Sequence, residues 1–493
     1  MTHQKFFDQR RYNTFGLLAN LIFLLVWYLA NDGLAFWDDY SYLNFANEIN
    51  QGTFQVSQNH FTSRVALLYP VAWIIDVLGI NEFSMAVYPL ICGIIVLNLL
   101  LWLGQLYHHW IGVLAATFFV CDYHVITFIT HLFPEMPMML FLFGALVAYD
   151  RANRREGDIR LLGLFTATGI FLAFLTKMTV ILVGPLFLFL FINDFWLKKT
   201  NKSYWLITVV LLVFFVLVNG FWYQELYGDF FYRFSNISDN HEASVKTFFD
   251  KDDITLLKRL TYLPLLGFTR GGFFIPLLFA LPSLFTLRSG GWKLNDPEKL
   301  WPLAMLVILA TWWLMSTNWK YYSPMPVDTR HITFLIPILL MAGGTYWTKT
   351  PLLTAVRYSK VRYLLALLLL IPIYKIWHAG DRNFEELQSI VKTDLVNQEE
   401  EVVVFTDGLV SYGYGYFYGL KPTDDEYIWF SELEGRKPGA GDYLLVNPPF
   451  LNKRYDDFNN LERLKEMAGT AQLRLVRVGG THVELYRFEE LTH

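Results

Sequence analysis

Long apolar stretches, separated by short polar or glycine- and proline-bearing breaks, set the rhythm of the chain from Thr14 to Ala379. Windows long enough to cross about 30 Å of hydrocarbon fall at 15–31, 83–106, 110–130, 135–150, 161–176, 178–196, 204–222, 271–287, 300–316, 331–347 and 361–378. The pattern predicts about eleven transmembrane helices. One more apolar run, RVALLYPVAWIIDVLGI at 64–80, is interrupted by Arg64, Pro70 and Asp76. From about Gly380 the pattern changes. EVVVFTD, DYLLVNP and LRLVRVGGTHVELYRF read as strands, the last a hairpin turning at Gly479 and Gly480. FNNLERLKEMAG reads as a short helix ending at a glycine. YGYGYFYG, at 412–419, has no basic residue, so it reads as a packed aromatic strand or loop rather than a phosphate cradle.

Basic residues orient these spans, because they concentrate in cytoplasmic loops. With eleven spans and the N-terminus inside, the inner loops hold Arg151, Arg154, Arg155 and Arg160, then Lys198, Lys199 and Lys202. Arg288, Lys293 and Lys299 follow, and then Lys349, Arg357, Lys360 and Arg362. A span at 64–80 would put all of these outside, so that run is expected to lie on the outer surface. The first run, preceded by Lys5, Arg10 and Arg11, could pass for a signal peptide but is read as a retained helix. The expected organisation is a polytopic α-helical membrane domain at 1–379, with outer loops at 32–82 and 223–270. A soluble extracytoplasmic α/β domain occupies 380–493.

Composition agrees: 54% of residues are hydrophobic and 17% charged, against about 25% charged in soluble domains. A net charge of −4 gives no sign of nucleic acid, and the two cysteines, Cys92 and Cys121, both sit in apolar runs. Polar residues gather on the outer side. Asp38 and Asp39, in FWDDYSYLNFANEINQGTF, follow the first span, and Glu135, in HLFPEMPMML, opens the fourth. The positive end of a helix favours such an acid. Arg64, Lys177, Lys320 and Arg330 are the cations of that face. Long basic side chains can simply snorkel to head groups, but beside a carboxylate cluster they suit a lipid phosphate.

These residues resemble the GT-C membrane glycosyltransferases, in the branch of protein O-mannosyltransferases and the lipid A aminoarabinose transferase. WDDYSYLNFANEINQG is similar to the first-loop motif, TSRVALLYP to the basic-then-apolar motif with Arg64 where Lys is more usual, AFLTKMTVILVGP to the Leu-Thr-Lys segment, and RHITFLIPILLMAGG to the late Arg-led helix. The resemblance spans roughly 15–350. It implies transfer of a sugar from a polyprenyl-phosphate-linked donor to a lipid, glycan or protein acceptor, with inversion. Asp38 is then the expected general base. Asp39 and Glu135 would orient the acceptor or hold a divalent cation, Mg or Mn. Tyr42, Arg64, Lys177, Lys320, Arg330 and His331 are the expected substrate-binding residues. A bacterial inner (plasma) membrane is the expected location. The competing reading is a transporter or flippase of a lipid-linked saccharide, which calls for charges near the midplane and paired repeats; the polar residues here lie at span edges, and no repeat is visible.

Overall fold

The computed structural model describes residues 9–31, 33–34, 37–197, 201–236, 256–270, 272–288, 297–316, 322, 324–325, 327–350, 367–377, 384–396, 398, 401–421, 423–429, 438–447, 471–479 and 483–490. Within them each predicted window contains helix. The elements are α1 (Gln9–Ala30), α2 (Trp37–Gln51), α3 (Val65–Leu78), α4 (Glu82–Tyr107), α5 (His109–Val120), α6 (Tyr123–Ile129), α7 (Glu135–Asn153), α8 (Ile159–Thr176), α9 (Gly184–Phe191) and α10 (Lys202–Tyr227). Then come α11 (Leu263–Arg270), α12 (Phe274–Ala280), α13 (Pro297–Leu314), α14 (Ile336–Trp347), α15 (Leu370–Trp377), α16 (Phe384–Ile390) and α17 (Gly408–Gly413). Among the described residues five helices are long and apolar enough to cross a membrane, or seven if two bent pairs each count as one span.

Local chemistry explains the starts and breaks. Asn81 caps α4 by accepting from the backbone N–H groups of Phe83 and Ser84, and the Ser84 hydroxyl returns the bond to the Asn81 N–H. Asp122 accepts from the N–H groups of His124 and Val125, so it starts α6 afresh and bends the 110–130 span by 63°. Gly104 and Gly112 let α4 and α5 touch: a Cβ on Gly104 would lie 2.2 Å from the Gly112 nitrogen. Wide apolar faces stay uncovered, as at Leu206, Val210, Val213, Phe214 and Phe221 of α10. In water such a face would be a liability; in lipid it is the ordinary exterior.

Helix α3 is the 64–80 run. Its 14 residues reach only about 21 Å at 1.5 Å each, short of a crossing. It buries Leu67, Leu68, Val71, Ala72, Ile74 and Ile75 and leaves Tyr69, Trp73 and Val77 exposed on a second apolar face. That suits a helix packed on protein from one side and on lipid from the other.

The C-terminal part is a five-stranded sheet in the order β2-β1-β3-β5-β4. Strand β1 (Val403–Thr406) runs parallel to both β2 (Glu426–Trp429) and β3 (Tyr443–Val446). Strand β5 (Val483–Glu490) is antiparallel to β3 and to β4 (Ala471–Gly479). Four of these five strands, β1, β3, β4 and β5, were expected from the sequence; β2 was not. The expected helix FNNLERLKEMAG lies outside the described residues. YGYGYFYG is helix end and 3-10 turn rather than strand, but it is packed as expected, with Tyr414 stacked on Tyr427 at 4.8 Å.

Candidate functional site

Five of the residues singled out by sequence converge at one end of the helical bundle. The first turn of α2 carries Asp38 and Asp39, and the two point differently: Asp39 is fully buried, whereas the Asp38 side chain keeps 23% of its exposure. Arg330 donates from Nη1 to Asp38 Oδ2 at 3.5 Å. It is held in turn by Asp328, which caps the 3-10 turn Thr329–Leu335 and lies 3.4 Å from the Arg330 Nε. Burial works against the Arg330 charge, yet Glu135, Asp38 and Asp328 outweigh it and hold its pKa above the ordinary arginine value.

Behind this pair sits a second. Glu135, in the first turn of α7, is buried, and the Lys177 Nζ donates to its Oε1 at 2.6 Å. Lys177 can reach because α8 ends at Thr176 and the chain turns extended at Lys177 itself. The other oxygen of Glu135, Oε2, has no hydrogen-bond partner among the described residues.

Arg64 closes the junction between the 3-10 turn His60–Ser63 and α3. Its guanidinium donates to the Tyr42 hydroxyl and lies over the rings of Phe61, at 4.7 Å, and Tyr42, at 5.3 Å. Tyr42 is fully buried, so its hydroxyl and ring serve Arg64 rather than open solvent. Burial pushes Arg64 down to about 10, while Asp38 and Glu135 act in the opposite sense. His331, next to Arg330, is buried in the same 3-10 turn. Lys320 lies outside the described residues.

One residue of this end was not singled out by sequence. Arg233, just beyond α10, is 2% exposed and donates from Nη2 to the Phe174 carbonyl, with its guanidinium 4.3 Å from the Phe174 ring. Its Nε and Nη1 have no hydrogen-bond partner among the described residues, and burial pushes it down to about 10. It is near enough to oppose the charge of Arg64. Arg259 shows the contrast: equally buried, it donates to the carbonyls of Met325, Trp312 and Trp313. Arg259 is a structural arginine. Arg64 and Arg233 form no ion pair among the described residues.

No group of three His, Cys, Asp or Glu side chains able to hold a metal ion occurs among the described residues. Of the two carboxylates considered as ligands, Glu135 already spends one oxygen on Lys177 and Asp39 is buried.

No curated protein sequence matches the chain. The sequence model of a family described as dolichyl-phosphate-mannose-protein mannosyltransferase matches residues 66–222, which include Glu135 and Lys177. Two crystal structures of ArnT from Cupriavidus metallidurans are similar over nearly the whole chain at 12% identity. The one bound to undecaprenyl phosphate has a TM-score of 0.54 and covers 95% of this chain and 97% of ArnT. The apo structure has a TM-score of 0.57 and covers 96% and 98%. The cryo-EM structure of the arabinofuranosyltransferase AftD from Mycobacteria, also 12% identical with a TM-score of 0.50, covers 99% of this chain and 40% of AftD. By fold, therefore, the chain is an integral membrane protein built like ArnT, and its residues 66–222 match the protein-mannosyltransferase family model.

Proposed function

We propose that this protein is a glycosyltransferase that moves a sugar from a polyprenyl-phosphate donor to an acceptor hydroxyl on the extracytoplasmic face of a bacterial inner membrane. The observation that carries the reading is the meeting of one partly exposed carboxylate, Asp38, with Arg330 and Arg64, and the nearness of Arg64 to Arg233; Arg64 and Arg233 form no ion pair among the described residues. The similarity to ArnT, whose structure holds undecaprenyl phosphate, supports a lipid phosphate as the anion.

The chemistry follows from the charges. A hydroxyl is a poor nucleophile at neutral pH, so a carboxylate within hydrogen-bond reach takes its proton as attack begins. Asp38 serves as that base, and its pairing with Arg330 orients it. The acceptor oxygen attacks the anomeric carbon from the face opposite the phosphate. The bond from that carbon to the phosphate oxygen breaks, its electron pair leaves with the lipid phosphate, and the anomeric centre inverts. Arg64 and Arg233 stabilise the charge that develops on the leaving oxygen. Lys177 and Glu135 act as a buried ion pair that holds the outer ends of α7 and α8 together; Arg330 is drawn toward the same acid. Asp39, being buried, orients α2 rather than touching the acceptor. A divalent cation is not required for this scheme, because side-chain cations already meet the phosphate.

The test is product binding. Purified protein in nanodiscs, titrated with undecaprenyl phosphate, should bind it, and a strain lacking the gene should accumulate lipid-linked sugar. Absence of binding at any lipid concentration, with no accumulation, overturns the reading.

A further inference from the structure

The sheet order β2-β1-β3, with β1 parallel to both neighbours, creates a switch point at the carboxyl ends of β1 and β3. In open α/β sheets that is where a ligand crevice opens. Here the chain passes from β1 straight into a helix that faces the membrane domain. The chain leaves β1 through Asp407, which accepts from the Val410 N–H at 3.1 Å and so starts α17. The end of α17 and the 3-10 turn Tyr414–Tyr416 then press against the membrane domain.

Among the described residues, the contacts that join the two parts here include three. The hydroxyls of Tyr412 and Ser41 are 2.7 Å apart. Gly413 lies flat on the Tyr40 ring, so that a Cβ there would sit 2.3 Å from the Tyr40 Cζ. The Tyr416 hydroxyl donates to Glu82 Oε2 at 3.4 Å, at the start of α4. Tyr40 is 1% exposed, so the seam is closed. Ser41 stands three residues after Asp38, on the same side of α2. A grip on Tyr40 and Ser41 therefore fixes the rotation of α2 about its axis. Rotation decides which acid faces Arg330 and which is buried, because successive residues of a helix point about 100° apart.

We propose that the Tyr412–Tyr416 segment of the C-terminal domain is a positioning element for the acidic helix, setting the direction of Asp38 through Ser41 and Tyr40. The proposal rests on the reading of Asp38 as the base. It gives the soluble domain a role in the chemistry of the membrane domain and explains why an aromatic and glycine-rich stretch stands at this place.

The experiment uses the full chain in nanodiscs with the variants Tyr412→Phe, Ser41→Ala, Ser41→Thr and Gly413→Ala. Hydrogen exchange of residues 37–51 is followed beside kcat and donor KM. Tyr412→Phe and Ser41→Ala should each speed exchange across 37–51 and lower kcat by on the order of tenfold, the worth of one hydrogen bond. Donor KM should stay unchanged, the double variant should be no worse than either single one, and Ser41→Thr should restore turnover. Gly413→Ala should lower kcat further, by up to roughly 10²-fold, since small misplacements of reacting groups have effects of that size. Tyr412→Phe, which keeps the ring, decides the matter if Gly413→Ala fails to fold. Wild-type exchange in Tyr412→Phe, an unchanged kcat, or a loss confined to donor KM overturns the proposal. A wild-type chain that transfers no sugar from any polyprenyl-phosphate donor would sink the glycosyltransferase reading instead, and the exchange data alone would then decide whether 412–416 holds α2.

Discussion

The two ends of the helical bundle hold buried charge in opposite ways. At the end bearing Arg151 and Arg154, the buried carboxylates among the described residues, Asp150 and Asp194, are matched. Asp150 accepts from the Tyr107 hydroxyl at 2.7 Å and pairs with the Arg154 Nε at 3.1 Å; Trp301 donates to Tyr107, and Arg154 lies 3.6 Å above the Tyr107 ring. Asp194 accepts from Tyr149, Asn193 and Trp205. At the other end Arg64 and Arg233 are held by aromatic rings and single oxygens, without an ion pair among the described residues. Arg233 is buried and Arg64 half-buried; withdrawing a cation from water without an anion is costly, and folding alone gives no reason to retain two. The matched end is architecture. On the proposed function, the unmatched end is arranged for a charge that arrives from outside.

The largest effect expected on this difference is catalytic. Asp38→Asn keeps the size of the side chain and removes the base, so transfer should fall roughly 10²–10⁴-fold, measured as sugar transfer by purified protein. Undecaprenyl phosphate binding should survive. Near-normal transfer would remove Asp38 as the base.

At the matched end the expected effect is on stability. Arg154→Ala leaves the fully buried Asp150 without its ion pair, and thermal unfolding in detergent should report a loss of about 3–5 kcal/mol. Lipid-phosphate binding by the folded fraction should not change. A variant as stable as wild type would show that Tyr107 alone satisfies Asp150.

A smaller effect should appear on the ligand side. Undecaprenyl phosphate at about 100 times its Kd should stabilise wild-type protein by about 2.7 kcal/mol by mass action. At the same lipid concentration Arg233→Ala should gain less, because the lost contact weakens binding. Equal stabilisation of the two would make Arg233 a structural residue like Arg259. The smallest expected effect is none at all: with arginines meeting the phosphate, EDTA should leave transfer intact, and a loss restored by Mg or Mn would bring a cation into the site.

Much of this arrangement was legible in the chain. The apolar windows marked the helices, and the distribution of basic residues was the ground for reading 64–80 as lying on the outer surface. The motif residues Asp38, Arg64, Glu135, Lys177 and Arg330 do meet at one end. What could not be read was pairing. Glu135 finds Lys177 across 42 residues, and Arg330 finds Asp38 across 292, because helix packing brings their ends together. Arg233 gave no signal, standing in a loop with several other charges, and only its burial distinguishes it. Tyr42 was expected to bind substrate, and its burial beneath Arg64 gives it a supporting place instead. Strand β2 was missed because EYIW is only four residues long and pairs with β1 across 23 residues of chain.

The central claim is that the unmatched arginines hold a lipid phosphate beside Asp38. The most direct measurement titrates undecaprenyl phosphate into nanodisc-embedded wild-type protein, Arg64→Ala and Arg233→Ala, with Arg154→Ala as the control from the opposite end. Each lost charge-assisted contact should weaken binding by about 1.5–3 kcal/mol, while Arg154→Ala binds as wild type does. Undiminished affinity in both Arg64→Ala and Arg233→Ala would contradict the account.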